Sequence, residues 1–127
     1  MGLVKIESGE TFPHVPFHSK AKPTIEIGET LTMCHYVFSE ERGSIFFMAN
    51  PLKVICVVDT PWGMQVLAYG YHRWGTSGAA ILKEGKLIGI QSNGYTINAR
   101  SGDIALGYLS FAVVYEDLVR PLMKQGA

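Results

Sequence analysis

Charge is scarce in this chain and evenly split. Charged residues make up 17% of it, 11 basic against 11 acidic, for a formal net charge of zero. That removes the one-signed field expected of a protein that binds nucleic acid or an anionic membrane. No apolar run approaches the roughly 18 residues a bilayer-crossing helix needs, so no membrane span is expected. The opening Met1-Gly2-Leu3-Val4-Lys5-Ile6 lacks the long apolar core and small-residue cleavage site of a signal peptide. Ile6 also stands where a myristoylation signal wants Ser or Thr. Cysteine is rare too. Cys34 and Cys56 lie in apolar, strand-like runs and are expected as buried free thiols, with a reducing, cytoplasmic compartment as the default. His14 and His18 are four apart but flanked by prolines, off any helix, so no metal site is expected. No cofactor is expected either.

What is present suits one compact domain: 127 residues, 47% of them hydrophobic. Residues 1–23 carry Pro13, Pro16 and Pro23 and little periodicity beyond a strand-like run at 3–6, which reads as an arm or linker. From residue 24 onward β-branched and aromatic runs alternate with Gly and Pro. Strands are expected at 24–27, 30–37, 44–49, 54–59, 64–70, 79–83, 86–92 and 104–114. Turns are expected at Asn50-Pro51, Thr60-Pro61-Trp62-Gly63 and Ser101-Gly102-Asp103, and Glu84-Gly85 marks a tight hairpin. Tyr115, Leu118, Val119 and Leu122 then follow helical spacing. Pro121 fits best in a first turn, which puts the helix start near Asp117. The expected fold is all-β: a single six-stranded antiparallel Greek-key barrel over residues 24–127 with a short C-terminal helix.

The chemistry concentrates in Gly75-Thr76-Ser77-Gly78-Ala79-Ala80-Ile81-Leu82. It is followed by Lys83-Glu84-Gly85-Lys86-Leu87-Ile88-Gly89-Ile90-Gln91-Ser92-Asn93-Gly94. A nucleophilic serine in acyl transfer needs a tight turn that exposes its hydroxyl beside backbone N–H groups aimed at the developing oxyanion. Gly75 and Gly78 permit such a turn around Ser77, and the edge through Ser92 to Gly94 can pair with an extended peptide.

This extended pattern closely resembles the nucleophile segment of the trypsin/chymotrypsin superfamily. With Thr before the serine it looks like viral members, notably flavivirus polyprotein proteases. The resemblance covers roughly residues 24–125 and implies the second, nucleophile-bearing barrel of a two-barrel fold. It further implies Ser77 as nucleophile and the Gly75 and Ser77 amides as oxyanion hole. Ser92, Asn93 and Gly94 would form a pocket wall, and Tyr71 and His72 its floor. Thr76 replaces the aspartate that cellular members use to bind a freshly cut N-terminus, which implies no zymogen activation of that type. Ala80 stands where many members have proline.

Ser77 still needs a base and a group to orient it. His35 ends an apolar strand, and Asp59 follows 24 residues later, a spacing similar to that of flavivirus proteases. Yet only 18 residues separate Asp59 from Ser77. With strands averaging about 5–6 residues, that is too few to finish one barrel and lay down three strands of the next. Two arrangements stay open: the base comes from a partner barrel or from the chain's own arm, or the chain is a compressed protease using His35, Asp59 and Ser77. The expected function is a serine endopeptidase of viral polyprotein-processing type, acting on a peptide or polyprotein in the host cytoplasm. The alternative is an inactive single-barrel module that binds peptide or self-assembles. A half-fold should expose an apolar face, so a second barrel or a homodimer partner is expected.

Overall fold

A computed structural model describes residues 2–39, 41–72, 76–95 and 105–125. Six strands follow one another along the chain: β1 (Thr30–Ser39), β2 (Ser44–Thr60), β3 (Gly63–His72), β4 (Ala80–Lys83), β5 (Lys86–Tyr95) and β6 (Ala105–Val113). Helix α1 (Glu116–Gln125) comes last. All pairings are antiparallel, and the strands close in the order β1-β2-β3-β6-β5-β4. The expected six-stranded barrel with a terminal helix is therefore the fold. Among the described residues no helix is long and apolar enough to cross a membrane.

Alternation sets the core, since every second residue of a strand faces the same side. Leu31 and Met33 on β1, Leu52 and Val54 on β2, and Val66 and Ala68 on β3 point inward and are buried. Ile81, Ile88, Leu109 and Phe111 complete the filling. Closure also needs glycine where strands crowd. A Cβ on Gly89 would lie 2.3 Å from the Phe111 ring, and one on Gly70 would lie 2.6 Å from the Pro51 carbonyl oxygen. At Glu84-Gly85 both residues have positive φ, 53° and 76°. That pair of values describes a type I′ turn, whose twist matches the strands it joins.

Three expectations about element bounds change. The runs at 44–49 and 54–59 form one strand of 17 residues, and Asn50-Pro51 is no turn. Proline is tolerated there because β2 has a neighbour on one side only: pairing with β3 begins at Leu52. Residues 24–27 form no strand. They carry Ile25 into the core and end at Gly28, whose N–H donates to the Val54 carbonyl. Helix α1 begins at Glu116, one residue early, leaving Pro121 beyond the first turn.

The early start of α1 has a cause in the N-terminal segment. The Glu116 and Asp117 amides donate to the Ser19 and Lys20 carbonyls, which satisfy donors that a helix start leaves open. Just upstream, Phe17 forms a parallel bridge with Leu87. Residues 16–20 thus lie along the barrel, while residues 2–15 are exposed.

Candidate active site

Strand directions sort the expected site residues. Reading alternate strands up and down, one end of the barrel collects the ends of β1, β3 and β5 and the starts of β2, β4 and β6. β3 ends and β4 begins at this end, on opposite sides of the barrel, and Ser77 lies just before β4.

Local geometry around Ser77 follows from the glycine after it. The Ala79 N–H donates to the Thr76 carbonyl at 2.9 Å, and Gly78 has φ +86°. A hydrogen bond spanning three residues with positive φ at the third position describes a type II turn, which wants glycine there. Two further bonds, Gly78 N–H to Gln91 carbonyl at 2.9 Å and Gln91 N–H to Ala79 carbonyl at 3.0 Å, lock the turn to β5. Thr76 is buried beneath the turn, while Ser77 itself is exposed. Gly75, expected as an oxyanion-hole donor, lies outside the described residues.

The pocket-wall residues come to the same end. Ser92 is the extra residue of a β-bulge between Gln91 and Asn93, and bulges re-aim side chains. Its hydroxyl lies 3.2 Å from the Ser110 carbonyl and 3.1 Å from the Ser110 hydroxyl. Gly94 meets His72 directly: a Cβ there would sit 2.7 Å from the imidazole Nδ1. His72 points inward and is buried, and that burial holds its pKa below the ordinary histidine value, favouring a neutral ring. Tyr71 shares the same end but faces outward and is exposed. It stacks no floor beneath the barrel mouth.

His35 belongs to this end as well. The β1–β4 ladder stops at Cys34↔Ala80, so the next residues, His35 and Ala79, flank its last rung. His35 is buried and faces inward, and the Ser77 turn ends at Ala79, just before that rung. Asp59 does not join them. It lies near the far end of β2, at the opposite end of the barrel, where Lys22 Nζ donates to its carboxylate at 2.7 Å. The barrel thus separates the residue expected to orient the base from the serine and both barrel histidines.

Sequence reasoning missed two polar groups, Gln91 and Asn50. Among the described residues, the buried polar side chains are His35, His72, Thr76 and Gln91, and all four lie at the Ser77 end. Gln91 Oε1 and Asn50 Nδ2 are buried with no hydrogen-bond partner among the described residues. Gln91 was legible in principle, as the amide that ends the apolar run Leu87–Ile90. Asn50 was hidden by its proline neighbour, which reads as a turn. Cys34 and Cys56 are free and only partly buried, not fully buried as expected, and burial raises the Cys34 pKa, which favours its protonated thiol.

No protein-family model matches this chain, and no curated protein matches it. Any functional reading therefore stands on the geometry and the motif.

Proposed function

We propose that this barrel is the nucleophile-bearing half of a chymotrypsin-like serine endopeptidase of viral polyprotein-processing type, hydrolysing peptide bonds through an acyl-Ser77 intermediate. One observation carries the reading. Ser77 is presented on a type II turn, between a buried Thr76 and a positive-φ Gly78, at the polar end of a closed six-stranded barrel. A serine held this way is accessible to an acyl group, and it is fixed against β5 by backbone bonds on either side of the turn. The peptide would lie along the Ser92–Gly94 segment beside the turn, where β5 runs past its last rung with β4 at Ile90.

With Asp59 occupied by Lys22 at the far end, the base and its orienting carboxylate come from a partner barrel in this reading. Ser77 would attack the scissile carbonyl as the partner's base takes its proton, expelling the amine. Water would then release the acyl group by the reverse sequence of proton movements.

The same Asp59 position favours a second reading, a peptide-binding module that keeps the turn for structure and has no base. Labelling with a fluorophosphonate separates the two. For the peptidase, the wild-type chain mixed with its partner barrel labels and Ser77→Ala does not. Absence of labelling in the wild type, with peptide affinity unchanged in Ser77→Ala, would establish the binding module.

A further inference from the structure

The upper part of the first hairpin extends past the ladders that close the barrel, with His35 and Val37 still buried on its inner side. β1 pairs with β4 only as far as Cys34, and β2 pairs with β3 only from Leu52 onward. Beyond those points the two strands pair with each other, from His35↔Met48 to Ser39↔Ser44. Such a two-stranded ribbon is marginally stable alone in water.

Its outward face is apolar. The inward positions on β1 are Leu31, Met33, His35 and Val37, so Tyr36 and Phe38 face out. They pair across the ribbon with Phe47 and Ile45. These four side chains are 72%, 55%, 57% and 68% exposed in the order Tyr36, Phe38, Phe47, Ile45. Tyr36 and Phe47 already touch edge to face, with ring centroids 5.6 Å apart.

We infer that this face is a self-association surface, and that a second copy of the chain covers it in a two-fold dimer. Two observations select a copy of this chain as the occupant. First, a two-fold interface brings a patch against its own copy, so a patch charged with one sign would repel itself. The outward positions 36, 38, 45, 47 and 49 carry no charge, and the whole chain has zero formal net charge, so like-charge repulsion does not oppose the pairing. Second, the area suffices. Large side chains bury about 150–250 Å² each, so the exposed shares of these four amount to roughly 500 Å². Two copies together bury about 1,000 Å², the size at which specific interfaces begin. The outward tyrosines of β3 and β6, Tyr69 and Tyr108, also meet edge to face but are less exposed.

Sedimentation velocity tests the dimer on the full chain. The wild type is expected to shift from monomer to dimer with a midpoint in about the micromolar range. Phe38→Lys/Ile45→Lys and Phe38→Glu/Ile45→Glu are each expected to stay monomeric, with dimerisation weakened at least about 100-fold. Mixing the two is expected to restore a heterodimer. Both variants change exposed side chains, and circular dichroism checks that each keeps the wild-type spectrum. Tyr69→Lys/Tyr108→Lys, on the other aromatic face, is expected to dimerise as the wild type does. A wild type that remains monomeric at about 100 µM overturns the inference. So does a dimer that survives both ribbon variants, or one abolished by the tyrosine pair. None of these readouts depends on peptidase activity, so they stand apart from the test of Ser77.

Discussion

The two ends of the barrel divide the work. At the base, Ile25 plugs the core, Glu29 and Lys83 pair at 2.8 Å, and Lys22 holds Asp59. There the N-terminal segment and α1 brace each other through backbone bonds. At the mouth the interior turns polar, with His35, His72, Thr76 and Gln91 buried near an exposed serine. Apolar filling and satisfied ion pairs make the base the stable end. Buried polar side chains and bulged backbone make the mouth the end where stability is spent on presenting chemical groups.

That division can be broken by substitution. Ile25→Ala, at the base, should destabilise the fold by about 3 kcal/mol in urea unfolding, the usual cost of a large core deletion. Below its lowered melting temperature it should leave Ser77 labelling intact. Gly94→Ala, at the mouth, should cost about 2 kcal/mol because the new methyl displaces the buried His72 ring. Unlike the base variant, it should also alter peptide affinity, measured by titration calorimetry. If both variants changed affinity alike, the two ends would not be separable.

Two pH dependences sharpen the contrast. Burial works against the Glu29 carboxylate, but Lys83 and the Glu26 N–H outweigh it and hold its pKa below the ordinary value. Its contribution is therefore complete above the unfolded carboxylate pKa, about 4.3–4.5, and is lost as pH falls through the native value. Lys83→Met should cost about 1 kcal/mol at neutral pH, this pair being partly solvated. The loss should narrow in acid, as read by urea midpoints from pH 7 to 3. His72 acts at the mouth in a different window. Its native pKa is lowered, so the unfolded chain takes up a proton first, near the ordinary histidine value of about 6.5. Stability should fall as pH drops through that value towards the native one, and His72→Gln should flatten that part of the curve. The smallest effect belongs to the base hairpin. Glu84 holds a positive φ that asparagine adopts more readily, so Glu84→Asn should raise stability by about 0.5 kcal/mol in thermal melts.

Local signals made much of the barrel legible. Alternation in Met64–Gly70, the Glu84-Gly85 turn and the helical spacing from Tyr115 to Leu122 each depend on residues close in sequence. Ser77 on a turn was legible for the same reason, since Gly78 must follow it. Long-range features were not. Asn50-Pro51 reads as a turn until one knows that β2 lacks a second neighbour there. Asp59 stands at a persuasive spacing from His35, but strand direction, which spacing cannot reveal, carries it to the other end. Ser19 and Lys20 look like linker and are instead helix caps, because their partners lie nearly a hundred residues away. The glycines of the motif have structural reasons as well, Gly89 under Phe111 and Gly94 on His72, so the pattern encodes packing along with chemistry.

The docking of residues 16–20 at the base has a consequence for reach. Any domain joined upstream emerges beside Leu87, pointing away from Ser77. The exposed stretch 2–15, fully extended at about 3.3–3.6 Å per residue, spans at most about 50 Å. The ten residues of β1 rise only about 34 Å. A tether of that length can climb the outer wall and deliver its cargo to the mouth, so attachment at the far pole does not bar an upstream barrel from meeting the serine.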